Sequence, residues 1–190
     1  MADCIQMLKT QTEYKTFGER ESTYLRTSMT NIMKIRLATP EDLEGMMRIE
    51  DLCFGDERFD SETVRAYLAR KDAFAIVAVT NEGIVGSAMG MASARLRCGR
   101  IGSVAVLSDH RGMGLGNKLL EACEMEFRAR GITHFLLEVA VENVDAIKLY
   151  EANGYRINDV IGGYYSRGKD AYLMEKDVTM EGRRVRIRPS

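Results

Sequence analysis

The six residues Arg111-Gly112-Met113-Gly114-Leu115-Gly116 constrain this chain more than any others. They sit between an apolar run, Ile101-Gly102-Ser103-Val104-Ala105-Val106, and an amphipathic one, Leu119-Leu120-Glu121-Ala122-Cys123. That context predicts a strand, a tight glycine turn and a helix. Glycines let a backbone approach a ligand closely and take up dihedrals that a side chain forbids. The free N–H groups of the first helical turn then face an anion, aided by the helix dipole. A phosphate or pyrophosphate suits such a turn; a glycine-rich connection with no ligand is the plain alternative.

Spacing narrows the choice. A P-loop needs Gly-Lys-Ser/Thr, and here Gly116 is followed by Asn117 and Lys118 with no hydroxyl next. A dinucleotide fingerprint needs G-x-G-x-x-G near the start of a βαβ unit, whereas Gly112, Gly114 and Gly116 alternate. The pattern that fits is Arg/Gln-x-x-Gly-x-Gly/Ala. Through it the chain resembles the GNAT superfamily of acetyl-CoA-dependent N-acetyltransferases. The resemblance implies acetyl-CoA as cofactor, its pyrophosphate on the backbone of Arg111, Gly112, Met113, Gly114, Leu115, Gly116 and Asn117. It also implies that the pantetheine arm and acetyl group run along Val104, Ala105 and Val106 like an added strand.

The chain has 190 residues, enough for one domain with a real core and short for two. Its formal net charge is −1, which forces neither a nucleic-acid nor a membrane partner. No apolar run is long enough to span a bilayer. The first residues, Met1-Ala2-Asp3-Cys4-Ile5-Gln6, lack the basic-then-apolar layout of a secretory leader. Cys4, Cys53, Cys98 and Cys123 are scattered and the chain has 2 histidines, so neither a zinc site nor a disulfide framework is expected. Cys123 follows Leu119 and Leu120 at helical spacing and reads as core. A reduced, cytoplasmic setting is the expectation.

Residues 1–32 are polar, rich in Thr, Glu and Lys, and weakly periodic, and read as an N-terminal extension. The domain is expected over 33–177, beginning with the alternating strand Met33-Lys34-Ile35-Arg36-Leu37-Ala38. Thr39-Pro40-Glu41-Asp42 reads as a helix start with a capping hydroxyl, proline at the first helical position and acids at the positive dipole end. Gly55 to Phe59 reads as a loop, and Asp60 and Ser61 can cap a second helix. Strands are expected over 73–79 and 84–91 around an Asn81-Glu82-Gly83 turn, then over 134–139. The helix after the glycine turn should run to about Arg130 and close on Gly131, and another should span 143–153 before Gly154. Strands at 155–160 and 170–177 complete the pattern. The order matches the GNAT superfamily, which implies an α/β (α+β) fold: a mixed, mostly antiparallel sheet with splayed central parallel strands and flanking helices. The basic tail within 178–190, Arg183-Arg184-Val185-Arg186-Ile187-Arg188, could be one more strand, a loose end or a polyanion contact.

Acetyl transfer to an amine needs a neutral amine, a thioester carbonyl whose developing oxyanion is stabilised, and a proton for the leaving thiolate. Leu137-Glu138-Val139, then Asn143-x-x-Ala146-x-x-Leu149-Tyr150, then Gly154-Tyr155 resembles the ribosomal-protein-alanine (RimI-type) and other protein N-terminal acetyltransferases. That resemblance implies Glu138 as general base through a water, Tyr150 as the acid that protonates the sulfur, and Asn143 as a holder of the pantetheine arm. Each has a bland counterpart: a solvent-facing strand glutamate, a core tyrosine with its hydroxyl at the rim, a helix N-cap.

Gly163-Tyr164-Tyr165-Ser166-Arg167-Gly168-Lys169-Asp170-Ala171-Tyr172-Leu173-Met174 resembles the closing block of the same enzymes, in which the paired tyrosines cover the first residues of the substrate chain. An aromatic hairpin with ordinary cross-strand pairs is its plain alternative. Bacterial RimI enzymes carry Phe-Pro-Trp-Ser after the first helix, where this chain has Phe54-Gly55-Asp56-Glu57-Arg58-Phe59. The chain therefore resembles the archaeal and eukaryotic catalytic subunits more closely, with Phe54 expected beside the first side chain of the substrate. The leading expectation is a protein Nα-acetyltransferase, with protein N-termini, ribosomal proteins among them, as partners. A lysine or small-amine acetyltransferase on the same fold is the alternative enzyme, and a non-catalytic acyl-CoA-binding module the alternative of another class.

Overall fold

The computed structural model describes residues 33–178 apart from 94 and 96; the N-terminal extension and the basic tail from 179 onward lie outside the described residues. The chain opens with strand β1 (Lys34–Leu37), a 3-10 turn (Pro40–Asp42) and helix α1 (Leu43–Phe54). A second 3-10 turn (Gly55–Glu57) leads into α2 (Ser61–Ala69), whose N-cap Asp60 accepts the Thr63 N–H at 2.7 Å. Three strands follow, β2 (Ala73–Thr80), β3 (Gly83–Ser93) and β4 (Cys98–Val106). Then come α3 (Leu115–Ala129), β5 (His134–Ala140), α4 (Val144–Ala152), β6 (Arg156–Ile161) and β7 (Ala171–Asp177).

The seven strands form one sheet in the order β1-β2-β3-β4-β5-β7-β6. Every neighbouring pair is antiparallel except β4 and β5. The mixed sheet with central parallel strands and flanking helices is thus the one expected. Helices cover both faces. On one side Leu119, Leu120 and Phe127 of α3 pack with Phe74, Phe135 and Leu137, with Phe127 edge-on to Phe74 at 4.9 Å between ring centroids. On the other, Met46 and Ile49 of α1 and Val64 and Tyr67 of α2 pack with Ala75, Val77 and Met89. Coverage on both faces explains why residues 73–78 are buried without alternation.

The helical start falls at Thr39 as expected, with Pro40 at the first position, Glu41 and Asp42 in the first turn and a capping box between Thr39 and Asp42. The Asp42 Oδ2 accepts the Thr39 N–H at 2.8 Å, and its two oxygens take a bidentate pair from Arg36 at 2.6 and 2.8 Å. The buried carboxylate thus ties β1 to the 3-10 turn that precedes α1.

The Arg36 guanidinium, more than any other group, holds the Asp42 carboxyl down at about 2, below its unfolded value. A lowered carboxyl adds stability above the unfolded value, and that stability disappears as pH falls through the folded one. Asp42→Asn should cost about 2 kcal/mol at pH 7, the scale of a hydrogen bond to a charged group. Thermal unfolding should show a loss of stability below about pH 4 that is steeper in the native protein than in the variant. Parallel acid limbs would contradict this role.

Candidate active site

The site begins where two strands part. β4 and β5 pair from Cys98↔His134 to Ile101↔Leu137 and no further. Beyond that point residues 102–106 of β4 and 138–140 of β5 have no partner in each other. The ladder of β4 with β3 skips Gly102, since Ile101 pairs with Gly90 and Ser103 with Met89. This bulge puts Gly102 and Ser103 on the same side as α1 and α2. A Cβ on Gly102 would stand 2.5 Å from the Tyr67 hydroxyl and 3.5 Å from the Phe59 ring, so only glycine admits that packing. Val104, Ala105 and Val106 lie along the unpaired stretch. Ala105 is buried against the α1 side and pairs with Ser87, two rungs from the Leu107 N–H bond to Val85, so its backbone groups face β3 and those of Val104 and Val106 face the gap.

At the end of β4 the Arg111 Nε donates to the Val106 carbonyl at 2.9 Å, which fixes the entry to the glycine turn. Gly112 and Gly114 both have left-handed backbone, with φ of 75° and 73°. No protein atom lies within 4 Å of where a Cβ on either would stand. This is a cradle left open by the chain, and the unpaired N–H groups of the first turn of α3 lie just beyond it. Met113 is exposed at the tip and Leu115 turns fully into the core. Gly116 lets α3 press against Leu149 of α4, and the Asn117 Oδ1 accepts the Asn153 Nδ2 at 2.7 Å. The side chain of Asn117 thus joins α3 to α4. The Asn143 Oδ1 accepts the Ala146 N–H at 3.2 Å and caps α4.

Glu138 is the first residue of β5 without a partner on β4, and on its other edge it pairs with Leu173 of β7. Its side chain is 11% exposed and its Oε2 accepts from Arg100 Nε at 2.9 Å. Arg100 Nη2 donates in turn to the Tyr164 hydroxyl at 2.6 Å. The Tyr165 hydroxyl donates to the Glu138 carbonyl at 3.3 Å, and the two tyrosine rings meet edge-on at 4.9 Å. Burial pushes the Tyr165 phenol up to about 12. Tyr150, on α4, is buried in the core beside Tyr155, and burial raises its phenol well above the ordinary value. It stays protonated near neutral pH, so it can give a proton and cannot take one.

The structure brings Glu138, Tyr164 and Tyr165 together. Phe54 and Phe59 are both half-buried against the α1 cluster, and Phe59 and Tyr67 stand next to Gly102 of β4. The β6–β7 loop is tied down on its other side as well. Glu57 accepts the Ser166 N–H at 2.9 Å and also the Ser166 hydroxyl, and Asp56 pairs with Arg167 at 3.0 Å. Beneath this, buried Glu50 accepts the Phe59 N–H at 2.9 Å and lies 3.4 Å from the Ser103 hydroxyl. Desolvation raises its carboxyl above the ordinary range.

Sequence reading missed Glu50, Arg100, Phe59 and Tyr67. Glu50 carried a signal, an acid four residues after Met46 on the apolar stripe of α1. Arg100 carried none, because its partners are 38 and 64 residues away. Among the described residues, no group of three or more His, Cys, Asp or Glu side chains could hold a metal ion, and no helix is long and apolar enough to cross a membrane.

Residues 43–155 match the model of the acetyltransferase (GNAT) family. The chain belongs to that family. An N-alpha-acetyltransferase of Saccharolobus solfataricus is 30% identical over 75% of this chain and 91% of its own length. The catalytic subunit of the N-terminal acetyltransferase A complex of Arabidopsis thaliana is 34% identical over 76% of this chain and 77% of its own. Among solved structures, the ribosomal-protein-S18-alanine N-acetyltransferase of Escherichia coli superposes with a TM-score of 0.71 at 25% identity, over 81% of this chain and 99% of that one. The protein is an N-acetyltransferase with the GNAT fold, and acetyltransferases of this family use acetyl-CoA.

Proposed function

We propose that this enzyme transfers acetyl from acetyl-CoA to the α-amine at the start of a protein chain, ribosomal proteins among its substrates. The observation that carries the reading is the tyrosine strap. Tyr164 and Tyr165 close over Glu138 from one side, while Phe59 and Tyr67 line β4 from the other. An extended chain terminus entering between them meets rings suited to cover a peptide backbone, with its amine beside Glu138. The named activities of the archaeal, plant and bacterial relatives support the same acceptor.

The open cradle at Gly112 and Gly114 and the unpaired backbone of 104–106 suit a pyrophosphate and a pantetheine arm. Acetyl-CoA, when bound, supplies a thioester that is already activated, so no covalent enzyme intermediate is required. Val104 and the Val106 N–H offer backbone groups to the arm, and the glycine turn from Arg111 to Gly116, with the Asn117 N–H, offers donors to the phosphates. Asn143 keeps its Nδ2 for the arm, because its Oδ1 is spent on the helix cap. Glu138 takes the ammonium proton through a water. Tyr150, a phenol that is protonated at neutral pH, gives its hydroxyl proton to the departing sulfur. The amine attacks directly, with both substrates bound.

The α-amine has an ordinary pKa of about 7.7–8.0 against about 10.4 for a lysine side chain, so more of it is neutral near pH 7. A carboxylate working through a water is better matched to the first amine than to the second. Two peptides of one sequence separate the readings. One has a free N-terminus and Arg in place of Lys; the other is N-blocked and keeps its Lys. The first should be acetylated faster, and equal or faster acetylation of the second overturns the assignment. Tyr150→Phe should lower kcat about 10²–10⁴-fold with acetyl-CoA binding nearly intact, as expected for loss of a general acid. A loss of only a few-fold in stopped assays would remove Tyr150 from that role.

A further inference from the structure

One guanidinium joins three parts of the chain at the mouth of the site. Arg100 lies on β4 one residue before the last rung shared with β5. Its Nε reaches the Glu138 carboxylate on β5, and its Nη2 reaches the Tyr164 hydroxyl on the β6–β7 loop. The fork of a guanidinium can serve both at once; an ammonium on a lysine stem is a single point of charge. The loop's other ties run to the Glu138 carbonyl, Glu57 and Asp56. Such exposed ties are individually weak, and the loop's seat depends on several acting together. Among these ties, the one through Arg100 is the one that also grips the Glu138 carboxylate.

We propose that Arg100 is a positioning residue that couples the seating of the Tyr164–Tyr165 strap to the setting of the Glu138 carboxylate. The proposal rests on the acceptor site described above. When the strap is down, Tyr164 holds the guanidinium in place and the guanidinium holds Glu138. When the strap lifts to admit a chain terminus, Arg100 loses one of its two anchors and Glu138 is freed to turn. Closure over the acceptor restores both, so the base is set when a substrate is enclosed.

Arg100→Met, Arg100→Lys, Tyr164→Phe and the double variant Arg100→Met with Tyr164→Phe test this in the full-length enzyme. Without substrate, hydrogen exchange followed by mass spectrometry should show faster exchange over 162–170 in Arg100→Met and in Tyr164→Phe. With acetyl-CoA and the free-terminus peptide, Arg100→Met should lower kcat/KM for the peptide roughly tenfold, the ratio that loss of a hydrogen bond to a charged group supports. The KM for acetyl-CoA should stay unchanged. Arg100→Lys should recover part of kcat, because it restores a cation beside Glu138, and should leave loop exchange fast. The double variant should be no worse than Arg100→Met alone, since Tyr164 acts through Arg100. Additive losses, an equal rise in the KM for acetyl-CoA, or native loop exchange in Arg100→Met would each overturn the coupling. A native enzyme that prefers the N-blocked lysine peptide defeats the Nα reading alone; the variants are then compared on that peptide, and the exchange data stand regardless of the acceptor.

Discussion

The bulge at Gly102 is the constraint on which the rest of the site depends. A parallel pair gains a hydrogen bond at each step, and leaving 102–106 unpaired forgoes that gain in the middle of the sheet. Two features hold the strands apart. The bulge turns Gly102 and Ser103 to the same face, so β4 bends away from the line of β5. Tyr67 and Phe59 then fill the space that a side chain on Gly102 would need. On the other face the aromatic packing of Phe127 with Phe74 and Phe135 keeps the paired halves of the sheet rigid. The result is a wedge with backbone donors and acceptors on one wall and Glu138 at the head of the other.

The two sides of the wedge are built differently. The side proposed for the donor is a backbone surface: β4, the glycine turn and the first turn of α3, fixed by the Arg111 bond to Val106 and the Asn117–Asn153 bond between helices. The side proposed for the acceptor is held by side chains, most of them outside the strands. Asp56, Glu57, Arg100, Ser166 and Arg167 hold it through exposed polar contacts that can open and reform. Glu50 is the firm point beneath it, anchoring Phe59 from within the core. A cofactor site common to many acetyltransferases and an acceptor site that varies among them fit this division between backbone and side chain.

Local signals were readable in the sequence. Gly114 at the start of α3, Gly131 and Gly154 after helices, Asp60 and Asn143 as caps and the Gly83 turn all stand where their own chemistry requires. The order of elements along the chain and the mixed, mostly antiparallel sheet followed from the family resemblance, and the structure has both. Strand ends were read short: β3 continues to Ser93 and β4 begins at Cys98, because glycines and Arg100 interrupt the apolar runs without ending the pairing. The helix start at Thr39 and Pro40 was readable too, whereas the reach of Arg36 from β1 to Asp42 was not. The acceptor side was the least legible part. Glu57 meets Ser166 across 109 residues, and Arg100 meets Tyr164 across 64, and no periodicity or spacing encodes such meetings. Phe59 also stands beside Gly102 of β4, a closeness between residues far apart in the chain that no local pattern signals.

The central claim is that one wedge divides the two substrates, with the donor on β4 and the acceptor beside β5. Amide chemical-shift titration of the isotope-labelled protein reads both walls at once. Coenzyme A should move the amides of Val104, Val106, Gly112 and Gly114 and leave those of 163–169 nearly still. A free-terminus peptide added next should move 163–169 and Glu138. Shifts from coenzyme A that fall on the β6–β7 loop while 104–106 stay still would contradict the account.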